Sequence, residues 1–225
     1  MVEIEHGVTS LPARLGGRLC VDFVNTIDPR DPPGRDYLPD YFTLIDWAAA
    51  TVAIDRDVVD RAAAAASAVM ERAVEAHREA ISLRETLYLV LRARAERRVP
   101  DEADADRLGA AAADLRRHRL LRTAGIRWQW VWSTDDPLRL PLWIIMADAV
   151  DLLTSIDQAH LRACAGDGCG WLFVDNSKNH SRRWCSMRGC GNRSKTQRHY
   201  QRLRAARGQG TQAPEGVVVS QRGLA

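Results

Sequence analysis

The sequence predicts a mainly α-helical protein with a small β element, in which a helical N-terminal domain precedes a four-cysteine module that ends in a basic helix. Three observations support this fold class. Residues 57–98 are rich in strong helix formers, one stretch alternates apolar and polar residues, and four of the five cysteines crowd into residues 164–190. Because 46% of the 225 residues are hydrophobic and 27% are charged, the chain can bury a globular core.

The helical domain is predicted from four stretches. We expect a short helix over Leu44–Ala53 and a largely buried one over Leu140–Ile156. Residues 57–98 are rich in Ala, Glu and Arg and are expected to form two helices, with a break near His77–Ser82. Acidic residues favour another helix start at Asp101. The buried stripe of that helix is expected to contain Leu108, Ala112 and Leu115.

Other segments are less regular. Periodicity does not decide between helix and strand for residues 18–27, and the four prolines of residues 28–39 predict an irregular loop. Residues 126–132 alternate Ile and Trp with Arg, Gln and Val, which predicts a strand. The first residues lack a basic segment followed by an apolar run, and Leu140–Leu153 is too short for a bilayer. We therefore expect a cytoplasmic protein without membrane contact.

The cysteines are spaced as two pairs, Cys164-x4-Cys169 and Cys185-x4-Cys190, while Cys20 stands alone. In a reducing compartment, clustered cysteines hold a metal more often than they form disulfides. Four thiolates match the tetrahedral preference of zinc and leave no open position for catalysis, so we predict one structural Zn²⁺ ion. Redox disulfides and buried free thiols are the alternatives.

Between the pairs lies Trp171–Asp175, which predicts a short strand or hairpin with Trp171 and Phe173 on one face and Leu172 and Val174 on the other. A module this small has little core of its own, so zinc must supply much of its folding free energy, on the order of 10 kcal/mol. The aromatic residues are then mostly core residues, with base stacking as the alternative for one of them.

Charge is distributed very unevenly along the chain. Residues 1–175 contain 21 Lys/Arg and 28 Asp/Glu, whereas residues 176–209 contain 10 Lys/Arg and no acid. Such a block is typical of a surface that binds a polyanion, although a solvated tail would have the same composition.

The chain after Cys190 predicts a basic helix with Asn192 as its N-cap. Lys195, Arg198 or His199, and Arg202 would share one face, and such a helix fits the major groove of B-DNA. Tyr200 and Leu203 would form a thin apolar edge for docking. The candidate nucleic-acid contacts are Lys178, Arg182, Arg183, Arg193, Lys195, Arg198 and Arg202.

The cysteine module resembles the CGNR zinc finger over roughly residues 160–205. The shared features are, in order, two spaced cysteines, LFVDNSKN, RRWCSM and CGNRSK. GGRLCVDFVNT near the start and the apolar helix before the module resemble the ABATE domain that precedes this finger. The pairing is described for stress-induced transcription regulators of bacteria. The resemblance implies DNA binding by the finger and a regulatory or sensing role for the preceding domain.

The resemblance sets the expected extent of the two domains, and the lack of any pattern after Arg207 predicts a disordered tail. Residues 1–158 would form the helical ABATE-like domain, 159–207 the finger and 208–225 a disordered tail. We expect a zinc-dependent regulator that binds double-stranded DNA at the nucleoid, with RNA or single-stranded nucleic acid as the alternative ligand. No dimer interface can be identified in the sequence.

The third hypothesis is an enzyme in the N-terminal domain, and we expect no enzymatic activity. The polar residues Asp22, Asn25 and Thr26 interrupt an apolar run, and His77 and His118 lie in predicted helices, but none has a partner at a catalytic spacing. We interpret them as capping and surface groups. A pocket for an unknown small-molecule effector is the remaining expectation for this domain. The residues proposed for its wall are Trp128, Trp130 or Trp132.

Overall fold

The structure, a computed structural model, describes residues 11–51 and 54–208. Within these residues the chain is mainly helical, and its strands form three separate antiparallel pairs, as the fold class predicted. The helices are α1 (Leu19–Val24), α2 (Tyr41–Ala49), α3 (Arg56–Ala68), α4 (Met70–Ala95), α5 (Glu102–His118), α6 (Leu140–Thr154) and α7 (Asn192–Gly208). The strands are β1 (Ile27–Asp28), β2 (Arg35–Asp36), β3 (Arg119–Ala124), β4 (Arg127–Trp132), β5 (Leu161–Ala163) and β6 (Leu172–Val174). No described helix is both long enough and apolar enough to cross a membrane.

Helix α1 resolves the segment that periodicity left undecided. Four of its six residues are buried, and it packs against α6 and α4 at the centre of the helical domain. The carboxylate of Asp22 accepts a hydrogen bond of 2.7 Å from the backbone N–H of Gly16, which fixes the chain entering the helix. The main hydrophobic core is therefore built around a helix of less than two turns.

The break between α3 and α4 lies at Val69, so the predicted break near His77–Ser82 is wrong. Val69 departs from the helical conformation, with φ −141° and ψ 86°. Helix α4 then runs for 26 residues through the predicted break, because Ala73, Ala76 and Ala80 are buried against the core. Alanines contribute little to a hydrophobic pattern in the sequence, but their small side chains let this helix pack closely against the core.

The proline-rich loop contains a short strand pair, with Ile27 opposite Asp36 and Asp28 opposite Arg35. Its position is fixed by Arg84 of α4, which is almost fully buried. The Arg84 guanidinium donates two hydrogen bonds, of 2.8 and 2.7 Å, to the two carboxylate oxygens of Asp36. Such a bidentate pair orders a segment that would otherwise have few contacts.

The predicted strand over residues 126–132 is confirmed as β4, but its partner β3 was not predicted. Helix α5 ends at His118 and the chain passes directly into β3. Within α5, Leu108 and Leu115 are buried as expected, whereas Ala112 is only half-buried. The β3–β4 hairpin is largely exposed.

Strand β6 connects the helical domain to the cysteine module. Its Leu172 and Val174 belong to the main core, whereas Phe173 packs with Trp171 and three of the cysteines in a second cluster. The predicted alternation of faces is therefore confirmed. Because β5 contributes Leu161 to the main core as well, the module shares a hydrophobic core with the helices instead of standing apart.

Asn25, at the end of α1, holds β6 against this domain. Its side-chain amide donates a hydrogen bond of 2.8 Å to the carbonyl of Leu172, and its side-chain oxygen accepts one of 3.0 Å from the N–H of the same residue. Asn25 is buried, so both backbone groups of Leu172 would lose their partners if this side chain were removed.

We predict that Asn25→Ala lowers the free energy of unfolding by about 3 kcal/mol, because two buried backbone groups lose their partners. Urea denaturation of the purified protein measures the effect. Asn179→Ala is the matched control, since Asn179 is exposed, and it should change the stability by less than about 0.5 kcal/mol. Equal effects of the two variants would contradict this role of Asn25.

Candidate metal centre

The four clustered cysteines bring their sulfur atoms together, with all four Sγ atoms within 4.8 Å of one another. The Sγ of Cys185 lies 3.7 Å from that of Cys169 and 3.6 Å from that of Cys190. A tetrahedron with Zn–S distances of about 2.3 Å has S–S edges of about 3.8 Å. These separations fit a shared metal ion and exclude disulfide bonds, in which the sulfurs lie about 2.05 Å apart. The four cysteines form the site of one zinc ion.

The first two ligands stand on either side of a tight turn that follows β5. Gly168 has φ 63° there, a conformation that favours glycine. Gly166 is required for a different reason, since a β-carbon at this position would lie 2.9 Å from the Sγ of Cys190. The glycines of the turn therefore let the first pair of cysteines approach the second.

The second pair is held by a π-helical turn, Met187–Gly191, which runs directly into α7. Ser186 caps this turn, because its hydroxyl accepts a hydrogen bond of 3.2 Å from the N–H of Gly189. Asn192 already has helical dihedral angles, so its predicted role as the N-cap of α7 is wrong. The last zinc ligand, Cys190, thus belongs to the same continuous helical segment as the basic helix.

Hydrogen bonds favour the thiolate form of Cys164 at the expense of its neighbours in the cluster. The backbone N–H groups of Cys185 and Gly166 point at the Sγ of Cys164, at 3.2 and 3.4 Å. Hydrogen bonds from the thiols of Cys169 and Cys185 lower the pKa of Cys164, and the same contacts raise the pKa values of Cys169 and Cys185. Adjacent thiolates repel one another, so only a cation allows all four to be charged together.

Arg193 supplies further positive charge, since its Nη2 lies 3.0 Å from the Sγ of Cys190. This contact raises the pKa of the guanidinium. One candidate nucleic-acid contact therefore also neutralises part of the net charge of −2 that four thiolates and one zinc ion would carry.

Arg182 is half-buried at the edge of the module. Its guanidinium packs over the ring of Phe173, 4.2 Å from the ring centroid, and donates hydrogen bonds of 3.0 Å to the carbonyls of Leu15 and Trp184. Arg182 thus connects the module to the N-terminal segment, and its Nε and Nη2 donate to backbone carbonyls within the protein. Trp171 forms a similar connection through Nε1, which donates to the carbonyl of Ile27 at 2.9 Å.

The remaining candidate contacts lie on the surface. Lys195, Arg198 and Arg202 are exposed and occupy one face of α7 at helical spacing. Lys178 and Arg183 are also exposed, and the Arg183 guanidinium lies 5.2 Å from the ring of Trp184.

Tyr200 and Leu203 are 61% and 43% exposed, so the apolar edge of α7 that we expected to dock does not pack against the described residues. Sequence reasoning also missed Arg188, which is exposed in the turn between the third and fourth ligands. Its position in the acid-free segment, two residues before Cys190, could have marked it as a candidate contact.

The polar residues of the helical domain have structural partners. Thr26 is buried, and its hydroxyl donates to the carbonyl of Phe23 and accepts from Arg84. His77 lies 2.9 Å from the carbonyl of Leu38, and His118 stacks on Trp143 at 3.7 Å. Asp22, Asn25 and Thr26 thus serve the fold, although Asn25 and Thr26 are core rather than surface groups.

Comparison with known families agrees with this geometry. Residues 160–203 match the CGNR zinc finger. Residues 17–156, more than half of the chain, match the ABATE family, described as "Putative stress-induced transcription regulator". The chain belongs to the ABATE family. In this ABATE protein the boundary between the two matched regions falls in the 3-10 turn Ile156–His160, directly before β5. No curated protein matches the chain.

We predict that the purified ABATE protein contains about one zinc ion per chain and that Cys169→Ser and Cys185→Ser each remove most of it, because a hydroxyl is a poor zinc ligand. Elemental analysis of the desalted protein measures the ratio. Cys20→Ala is the control, since Cys20 is buried in the main core away from the cluster, and it should keep the metal. Full zinc retention in both serine variants would contradict the assigned site.

Proposed function

We propose that this ABATE protein is a zinc-dependent DNA-binding transcription regulator of bacteria that acts at the nucleoid and is not an enzyme. The observation that carries the proposal is the exposed row of Lys195, Arg198 and Arg202 on a helix that starts at the zinc site. The family descriptions, a zinc finger and a stress-induced transcription regulator, support the same function.

The dimensions of α7 support insertion into DNA. Its 17 residues span about 25 Å, and a helix of this kind fits the B-DNA major groove, which is about 12 Å wide. Exposed guanidinium and ammonium groups can contact phosphates or base edges. The finger would hold this helix rigidly, since Cys190 lies in the turn that continues into it. We leave Arg182 out of the proposed contacts because it is half-buried and its Nε and Nη2 already donate to backbone carbonyls.

Binding to RNA or to single-stranded nucleic acid is the second candidate. It needs exposed aromatic rings on which bases can stack. The candidate stacking residues are Trp171, Trp184 and Tyr200. Trp171 is buried and Trp184 is half-buried, so Tyr200 is the exposed ring of the three. This placement favours duplex DNA over the alternative, because the exposed rings of α7, Tyr200 and its neighbour His199, offer little stacking area.

We predict that binding to duplex DNA weakens steeply with salt. If about six phosphates are contacted, the logarithm of the association constant should fall with the logarithm of salt concentration at a slope of about −5. In the triple variant Lys195→Ala/Arg198→Ala/Arg202→Ala the slope should fall to about −3, because three contacts are lost. Fluorescence anisotropy with labelled duplexes over a range of salt concentrations measures both slopes.

The matched control for that experiment removes three exposed arginines from the helical domain, Arg61→Ala/Arg78→Ala/Arg97→Ala. Its net charge equals that of the triple variant, so a general charge effect would weaken both proteins alike. The proposal requires the α7 variant to lose much more affinity. Absence of salt-sensitive binding by the zinc-loaded wild type would contradict DNA binding altogether.

We predict that unlabelled duplex DNA displaces a bound labelled duplex at a concentration at least about tenfold lower than single-stranded DNA or RNA of the same sequence, because helix insertion requires a groove. A competition titration measures the three midpoints. Stronger competition by either single strand would establish the second candidate in place of the first.

A further inference from the structure

A cavity of about 670 Å³ lies in the helical domain, between α5, α6 and the β3–β4 hairpin. Its volume falls within the range of roughly 300–1,000 Å³ that is typical of small-molecule sites. It lies outside the zinc module, and nothing in the proposed DNA contacts uses it. The sequence predicted Trp128, Trp130 or Trp132 for the wall of a pocket, and Trp130 lines this cavity.

The floor of the cavity is apolar and built from small side chains. Gly109 and Ala112 of α5 form one side, and Val150 of α6 forms the other. Gly109 lies in the middle of α5, where glycine lowers helix stability relative to alanine. A β-carbon at this position would meet no atom within 4 Å, so the space beside it is open.

Two positive charges also line this cavity, one from Arg116 and one from Arg119. Among the described residues neither forms an ion pair, whereas their neighbour Arg117 lies 3.7 Å from a carboxylate oxygen of Asp114. The Arg119 guanidinium lies over the exposed indole of Trp130, 5.5 Å from the ring centroid. The cavity thus combines an apolar floor, an aromatic wall and two cations without an acidic partner.

We propose that this cavity binds a small aromatic anion, such as a fused-ring carboxylate or sulfonate. A flat apolar ring would lie on the floor against Trp130, and its acidic group would pair with the two guanidiniums. An uncharged ligand would gain nothing from the two exposed guanidiniums, and a cationic ligand would be repelled. The charge of the cavity therefore selects the class of ligand.

The cavity also has a short covalent path to the zinc site. Val150 lies in the last two turns of α6, and α6 continues through a 3-10 turn into β5, which ends directly before Cys164. A ligand that shifts α6 would act on the first zinc ligand through this path. Interpreting the site as an effector site rests on the proposed function, whereas binding itself does not.

The test uses the full zinc-loaded chain without DNA, so its outcome is independent of nucleic-acid binding. The reporter is 8-anilino-1-naphthalenesulfonate, whose fluorescence rises when it leaves water. It is displaced by 1-naphthoate or by the uncharged 1-naphthalenemethanol. We expect naphthoate to act at a concentration about tenfold lower than the alcohol, because only the carboxylate pairs with the guanidiniums. Equal potency would overturn the assignment of an anion site.

Two variants locate the binding. Arg116→Gln/Arg119→Gln should abolish the preference for naphthoate, while Arg122→Gln/Arg127→Gln removes the same charge from the opposite face of the hairpin and should keep it. Gly109→Leu should fill the cavity and reduce reporter binding at least about tenfold. Leucine also favours the helix, so the thermal unfolding midpoint should not fall. Undiminished binding in Gly109→Leu would falsify the proposal.

If Gly109→Leu lowers the thermal unfolding midpoint, a second variant that fills the cavity, Ala113→Leu, takes its place. Ala113 lines the same cavity and is exposed, so a larger side chain there does not disturb the main core. Loss of reporter binding with an unchanged midpoint supports the site. Retention of binding in a folded Ala113→Leu protein counts against it.

Discussion

Strand β6 is buried on both faces, and the organisation of the whole protein depends on this arrangement. Leu172 and Val174 face the helical core, while Phe173 faces the cluster that surrounds the zinc ligands. The backbone of Leu172 is held by Asn25, so the strand is fixed by packing and by hydrogen bonds at the same point. Metal binding and formation of the helical core therefore stabilise the same strand.

Several arginines of the helical domain hold elements of the fold together, unlike those of α7. In the helical domain Arg18 pairs with Asp148, Asp151 and Asp157, and Arg84 pairs with Asp36, so their charges are used to hold elements together. Such partly buried pairs order segments more than they raise net stability. On α7 the acids are missing, so the cations remain available to an external anion.

The two halves of the molecule also differ in how their surfaces are organised. The zinc module ends in a convex, strongly basic helix, which fits a groove, whereas the helical domain contains a concave, apolar cavity with two cations at its wall. A convex basic surface selects for a large polyanion and a small cavity selects for a small ligand. Helix α6 and the turn after it connect these two surfaces along the chain.

The sequence by itself determined the features that depend on neighbouring residues. Two C-x4-C pairs predicted the zinc site, the alternation in residues 171–174 predicted the faces of β6, and the acid-free block predicted the basic helix. These signals are local because ligand spacing, strand periodicity and charge are all properties of short segments.

The tertiary structure decided the features that depend on distant residues. Asn25 and Leu172, which are 147 positions apart, meet only in the fold, and no local pattern announces such a pair. Arg182 and Arg198 lie in the same basic block, but only the fold shows that Nε and Nη2 of Arg182 already donate to backbone carbonyls. The length of α4 was set in the same way, by burial of small side chains against other helices. Sequence patterns report what a residue can do, whereas contacts made across the fold decide which of those roles remains open to it.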